Sequence, residues 1–487
     1  MGSGVFHIPR RQTPEQIESL FAAQRTGDRL GLGIHLALAI GACFMAGWPT
    51  SFVEFAALPL LVCFLIRMTG WHRMLEPLAF DRLMRLLLAW GAWVCLSLIW
   101  TVGRGKQEHG SAPAWLMDVR DLRFLALAVV IWPVLDRRTW LIAAVMAGIA
   151  FGQVSQLVHL TGVIGGWPSV TFGRAAGRIS GWWDPVSGGT VLCAGLGLWL
   201  APALWGPRAR MRLWGTLGVL ATLGCIALTG TRGAWVGAAA LVPVAIVVRL
   251  VHRRARRQAL WPFGIAMACV AILACGAAWF ALHHRHAADE IGIQQRFQRG
   301  IQEVRNGFGP EGWRTDTGMR IAMWQWALAE WRTHPILGVG AGGFQPWVRV
   351  RTPADAERLG APAGAIPGVH AQAHSTYFHT LATLGSVGFV LLIGVLGTAV
   401  VSGLRRSGDE HPSVVAESLA MGPALAILGL ACAGLFDTIT VNQQPSYLLY
   451  LLAAMCLPSR PREASAAAAT AHSVRGVGSA RSGGGAA

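Results

Sequence analysis

An all-α bundle of membrane-crossing helices is the fold class this sequence predicts, and two observations predict it. Of 487 residues, 53% are hydrophobic and only 13% charged, a balance too apolar for a water-soluble globule. Apolar runs near twenty residues recur along the chain, each long enough to cross roughly 30 Å of hydrocarbon as a helix. About twelve are read: 31–48, 51–66, 86–103, 122–135, 139–164, 186–206, 212–229, 234–250, 261–282, 376–402, 413–436 and 443–457. The run at 122–135 is the shortest of them.

Ahead of the first run, TPEQIESLFAAQR carries a helix start. Thr13 caps, Pro14 supplies the first turn and Gln16 reaches back to the cap. Ile17, Leu20 and Phe21 then share one face, suited to lying on the membrane or against the bundle. No cleavable signal is read in residues 1–30, which form an amphipathic N-terminus. Spans one to nine occupy 31–282, a long outer loop with an amphipathic helix 283–375, and spans ten to twelve 376–457. The stretch 458–487, rich in Ala, Ser, Gly and Arg, is read as a disordered tail.

The net charge of +17 comes from forty arginines and one lysine, Lys106, against 24 acidic residues. Nucleic acid is not implied, because the arginines fall in short clusters between spans: Arg67 to Arg85, Arg137 and Arg138, Arg208 to Arg212, Arg249 to Arg257, Arg405 and Arg406. With twelve spans all of these share one face with both termini, and positive residues mark the cytoplasmic side. The nine cysteines sit within or at the ends of apolar runs, so neither a disulfide framework nor a thiolate metal site is expected.

The opposite face carries the chemistry. In the outer loop, RIAMWQWALAEWRTHP (320–335) has helical spacing, with Ile321, Trp324, Leu328 and Trp331 on one face and Pro335 ending it. Gly338, Gly340, Gly342 and Gly343 follow in a turn. Arg174 and Arg178 precede the span at 186, Arg232 lies between two spans with almost no loop, and Arg320 opens the amphipathic helix. A charge at membrane depth costs roughly 2.5–3.5 kcal/mol and needs a partner. Planar guanidinium forks suit phosphate oxygens, so converging arginines suit a lipid-linked diphosphate. In AHSTYFHTLATLGSVGFVLL (373–392), His374 stands where the chain enters an apolar run, and Gly385 and Gly388 allow tight packing. Histidine is the side chain suited to accept a proton near neutral pH.

Three of these elements, in this order, resemble the O-antigen ligase family of membrane glycosyltransferases. The first is Thr229-Gly230-Thr231-Arg232-Gly233. The second is Arg320 and Trp324 followed by Pro335-Ile336-Leu337-Gly338-Val339-Gly340 and Phe344. The third is His374-Ser375 with Gly385 and Gly388, serine standing where the family has asparagine. The resemblance covers about 170–395. It implies transfer of a polysaccharide from undecaprenyl diphosphate to a sugar hydroxyl of lipid A–core, on the periplasmic face of a bacterial inner membrane, with both termini cytoplasmic. His374 is then the general base. Arg232, with Arg174, Arg178 and Arg320, holds the donor diphosphate and takes up leaving-group charge. Direct displacement with inversion is expected, since Asp184 and Asp316 are the only outer carboxylates beside the motifs and neither is assigned as a nucleophile.

No cofactor and no metal is called for. The run HHRH (His283, His284, His286) lacks an i, i+4 pair with a nearby carboxylate and reads as an aqueous boundary. Trp182 and Trp324 are candidates to stack on sugar faces, the other outward tryptophans forming an interfacial belt. The alternatives are an O-antigen polymerase or a protein O-oligosaccharyltransferase with the same donor, and, from another class, a lipid or solute transporter using His35 and Glu54.

Overall fold

The computed structural model describes residues 13–102, 114–161, 178–256, 302–303, 313, 315–358, 371–406 and 418–457. Among these there is no strand. Fifteen α-helices are described: α1 (Pro14–Gly27), α2 (Arg29–Met45), α3 (Thr50–Trp71), α4 (Arg82–Val102), α5 (Ala114–Arg120), α6 (Ala126–Val130), α7 (Arg138–Thr161), α8 (Pro185–Trp205), α9 (Ala209–Thr229), α10 (Arg232–Arg256), α11 (Asp316–Thr333), α12 (Phe344–Arg358), α13 (Thr376–Arg406), α14 (Gly422–Ala433) and α15 (Gln443–Met455).

Helix α1 begins as its residues dictate. Thr13 accepts from the Gln16 amide and the Gln16 side chain accepts from the Thr13 amide, with Pro14 in the first turn. Phe21 is buried against Trp132, ring centroids 5.8 Å apart. The chain then turns by 104° into α2. Asp28 makes that corner: its carboxylate caps α2 through the Gly31 amide and pairs with Arg67 Nε at 2.8 Å.

Among the described residues, seven helices are long and apolar enough to cross a membrane, or eight if the α1–α2 pair is one bent span. The protein is a multi-pass membrane protein. Three expected runs are shorter in structure than in sequence. Residues 122–135 are not one helix but a 3-10 turn (Asp121–Leu125), α6, and a second 3-10 turn (Trp132–Arg137). Pro133, which lacks an N–H and fixes φ, accounts for the second break. The runs at 413–436 and 443–457 yield α14 and α15, of 12 and 13 residues, about 20 Å each at 1.5 Å per residue. The run at 261–282 lies outside the described residues. Twelve full-length spans are therefore not reached among the described residues.

The short helices form the interior. Every residue of α15 from Gln444 to Met455 is buried. Tyr447 donates to the Ala42 carbonyl (2.9 Å), Trp90 donates to the Tyr450 hydroxyl (3.0 Å), and Arg138 donates to the Leu457 carbonyl at the far end (2.5 Å). Helix α8 lies beside α14 with backbones nearly touching. A methyl group at Gly197 would fall 2.4 Å from the Leu425 carbonyl, and one at Gly429 would fall 2.3 Å from that of Cys193.

The two residues weighed for transport have local partners. His35 is buried between the Arg67 guanidinium and the Val130 carbonyl. Glu54 is exposed and pairs with Arg123 and Gln443.

Candidate active site

The first motif is a rigid corner. Helix α9 ends at Thr229, Gly230 takes the left-handed conformation (φ 62°), and Arg232 opens α10. The Thr229 hydroxyl donates to Ile226 O and accepts from the Thr231 amide, while the Thr231 hydroxyl donates to Pro185 O at 2.7 Å. Those bonds aim Arg232 at the amino end of α11. Its Nη1 donates to Glu303 Oε2 (2.5 Å) and to the Thr317 hydroxyl (2.7 Å), and its Nη2 to Glu303 Oε1 (3.3 Å). Partial burial pushes the Glu303 carboxyl up, but bonds from Arg232 and Thr317 and the Arg232 charge outweigh it, holding the pKa below the usual value.

The second motif begins on α11, capped by Thr315, whose hydroxyl accepts from the Gly318 amide. Arg320, one turn in, donates to the Phe436 carbonyl at 2.5 Å. Desolvation lowers its pKa from the ordinary arginine value, and Asp437 and Asp316 oppose that. Trp324 lies on Phe378 (5.5 Å, 22°) and against Phe436 (5.7 Å). Arg178 stands 3.8 Å from the Asp316 carboxylate. The buried face of α11 is Ile321, Ala322, Met323, Trp326, Ala327 and Glu330. Of the expected stripe, Ile321 is buried, and Trp324 and Trp331 meet α13 through Phe378 and Ser386; α12 adds a second packing surface, on which Trp326 donates to Asp355.

The glycine loop docks on a break in α13. Gly385 there has φ 66°, and Gly338, also with φ 66°, faces it. Val339 and Gly340 donate to Ala382 O (3.0 Å) and Thr383 O (2.7 Å), and Ser386 donates to Pro335 O (2.8 Å). Gly385 was expected to serve close helix packing. It instead divides α13, and the freed carbonyls and amides pair with the loop. Gly388 does pack closely, beside Trp93. Asp118 ties the loop from its other side, accepting from the Gly342 amide (2.6 Å) and lying 3.3 Å from His379 Nε2.

The third motif is the head of this broken helix. Among the described residues, His374 alone of the non-glycines has positive φ, 47°, a conformation costing about 1–2 kcal/mol. Its surroundings enforce that. The Thr376 amide donates to Gly434 O (2.8 Å) and Asp437 O (2.9 Å), and the Thr376 hydroxyl donates to Asp437 O. The Asp437 carboxylate is buried and accepts from Thr190 (2.7 Å), the Thr438 amide (2.8 Å) and Asn442 (2.6 Å). Burial raises its pKa, opposed by the bonds from Thr190 and the Thr438 amide and by the Arg320 charge.

All three motifs thus meet one turn, Gly434–Asp437. Gly233 packs on it so closely that a methyl there would fall 2.5 Å from Phe436 Cβ. Arg320 and Trp324 hold Phe436, and Thr376 holds Gly434 and Asp437. Sequence reading placed this turn at the edge of a span and missed Asp437. Its signal was a lone aspartate between two apolar runs, in FDTITVN. Glu303 was missed as well, so Asp184 and Asp316 are not the only carboxylates beside the motifs. Asp184 is the cap of α8, accepting from the Val186 and Ser187 amides.

Trp182 is not grouped with Trp324. It stacks on Trp48 (5.1 Å, 24°), lies near Phe151 and donates to Gly47 O. Arg174, His283, His284 and His286 lie outside the described residues. Among the described residues no group of three or more His, Cys, Asp or Glu is placed to hold a metal ion.

Residues 217–393 match the family model described as O-antigen ligase. That stretch contains Arg232, Arg320, the glycine loop and His374, and ends before Asp437. The chain is also similar to the exopolysaccharide production protein ExoQ of Rhizobium meliloti (strain 1021), 26% identical over 269 residues. The match covers 53% of this chain and 59% of that protein, less than two thirds of its length.

Proposed function

We propose, for a chain that carries an O-antigen ligase domain over residues 217–393, that it transfers polysaccharide from undecaprenyl diphosphate to a sugar hydroxyl of lipid A–core, at the periplasmic face of the inner membrane. The convergence of the three motifs on the Gly434–Asp437 turn supports this reading: Arg320 donates to Phe436 O, Thr376, two residues after His374, donates to Gly434 O and Asp437 O, and Gly233, next to Arg232, packs on Phe436. His374 takes the acceptor hydroxyl's proton as that oxygen attacks the anomeric carbon. The bond from that carbon to the diphosphate oxygen breaks, with inversion, and the diphosphate leaves with the electron pair. Arg232, Arg320 and Arg178 stabilise the charge that grows on it, and Arg174 is a further candidate. No metal ion is assigned a step. Trp324, next to Arg320 and Phe378, is the candidate to stack on the glycan, while the packing of Trp182 against Trp48 fits a structural role.

A second reading, polymerisation of the donor glycan, is favoured by the similarity to a protein named for exopolysaccharide production. It uses the same donor site and differs in the acceptor. The test is reconstitution of the purified protein with donor and lipid A–core. Modified lipopolysaccharide is the outcome expected of a ligase. Longer donor glycan without acceptor modification would assign a polymerase.

A further inference from the structure

Arg232 grips a carboxylate in the way a guanidinium grips a phosphate. Both of its terminal nitrogens reach Glu303, at 2.5 and 3.3 Å, and Thr317 adds its hydroxyl (2.7 Å) and its amide (3.3 Å) to the same Oε2. A forked guanidinium, a hydroxyl and a backbone N–H around two anionic oxygens is the donor set that a phosphate group asks for.

The local charge also bears on this. Among the described residues, Arg178, Arg232 and Arg320 face Asp316, Glu303 and Asp437, three cations against three anions, with Asp184, the cap of α8, in electrostatic reach of Asp437. A diphosphate entering this group as it stands meets no net positive charge. Displacing one of these carboxylates raises the positive charge of the group, and the three differ in their freedom to move. Asp437 is buried and fixed by Thr190, Thr438 and Asn442. The Asp316 side chain is 83% exposed and 3.8 Å from Arg178, so solvent already screens it. Glu303 occupies the fork itself, beside an Arg232 side chain that is 33% exposed.

We infer that Glu303 is the chain's own occupant of the diphosphate seat, holding Arg232 in place while the donor is absent and displaced when the diphosphate binds. This rests on the reading of Arg232 as a donor-binding residue. The site then acquires its positive charge only as the donor arrives. A weakly charged anion does not repay the loss of Glu303, whereas a diphosphate, with several oxygens and two charges, does.

The experiment measures binding of inorganic pyrophosphate to the purified full-length protein by calorimetry, comparing wild type, Glu303→Gln, Glu303→Asp and Arg232→Gln. Glu303→Gln removes the competing charge, and binding is expected to tighten about tenfold. Glu303→Asp keeps the charge on a shorter stem and is expected to fall between wild type and Glu303→Gln, which keeps the test decisive if the glutamine variant folds poorly. Arg232→Gln is expected to lose binding. Unchanged or weaker binding by both Glu303 variants, with loss in Arg232→Gln, would overturn displacement and leave the diphosphate site standing. Full binding by Arg232→Gln would remove the site and the inference together.

Discussion

Arg320 donates a hydrogen bond to the carbonyl of Phe436, across 116 positions of chain. That contact joins α11 to the turn that ends α14. The same turn receives Thr376, two residues after His374, and packs on Gly233 beside Arg232. The candidate site is therefore one mechanical unit built on Gly434–Asp437.

Arg232 meets Glu303 through both terminal nitrogens of its fork. Lysine keeps the charge but offers a single point donor in place of two parallel N–H groups. Arg232→Lys is expected to slow transfer by about 10²–10³-fold, in the range of losing one preorganised oxyanion donor. The check is a transfer assay beside a membrane-fraction blot, with the variant protein present at wild-type level.

Asp437 anchors the turn. Asp437→Ala leaves the Thr190 hydroxyl, the Thr438 amide and the Asn442 side chain without their acceptor and strips Arg320 of a counter-charge. Breaking a buried charged network on one side costs about 3–5 kcal/mol, so thermal melting in detergent should fall markedly. Asp437→Asn keeps shape and one acceptor oxygen and is expected to lose less.

Gly385 and Gly397, twelve residues apart on α13, should respond oppositely to alanine. At Gly385, with φ 66°, the new methyl would lie 2.1 Å from Ile336 O. Positive φ alone costs about 1–2 kcal/mol, and the clash adds to it, displacing the glycine loop. At Gly397 nothing lies within 4 Å, so alanine is expected to stabilise by about 0.5–1 kcal/mol. Paired melting curves compare them directly.

The Glu303 pKa sets a pH window. Its folded value is depressed below 4.5, so the stability it contributes is fully present above the unfolded pKa and is lost as pH falls through the folded one. The melting difference between wild type and Glu303→Gln should be constant from pH 8 to about 5 and shrink below about 4.5. A difference that changes between pH 8 and 6 would show a different titrating group at Arg232.

Much of this was legible in the sequence because the signals were local. The Thr13 cap, the apolar runs that became α2–α4 and α7–α10, and the corner at Gly230 each follow from a few adjacent residues. What was not legible depends on distant partners. The break at Gly385 needs the glycine loop to pair with it, and its sequence reads equally well as close helix packing. The fragmentation of 122–135 follows from Pro133 together with burial beside α15. Glu303 and Asp437 acquire meaning only when Arg232 and Arg320 are brought to them. Trp182, read as a sugar platform from its outward position, stacks on Trp48, a partner that only the fold brings to it.

The central claim is that a histidine at the head of α13 and the arginines around the Gly434–Asp437 turn form one glycosyl-transfer site. Its most direct test is transfer from undecaprenyl diphosphate-linked polysaccharide to lipid A–core by purified protein with EDTA present, wild type against His374→Ala. The account predicts modified acceptor from wild type and a loss of about 10²–10⁴-fold in the variant, with the variant retained in the membrane. Transfer by His374→Ala at the wild-type rate would contradict it.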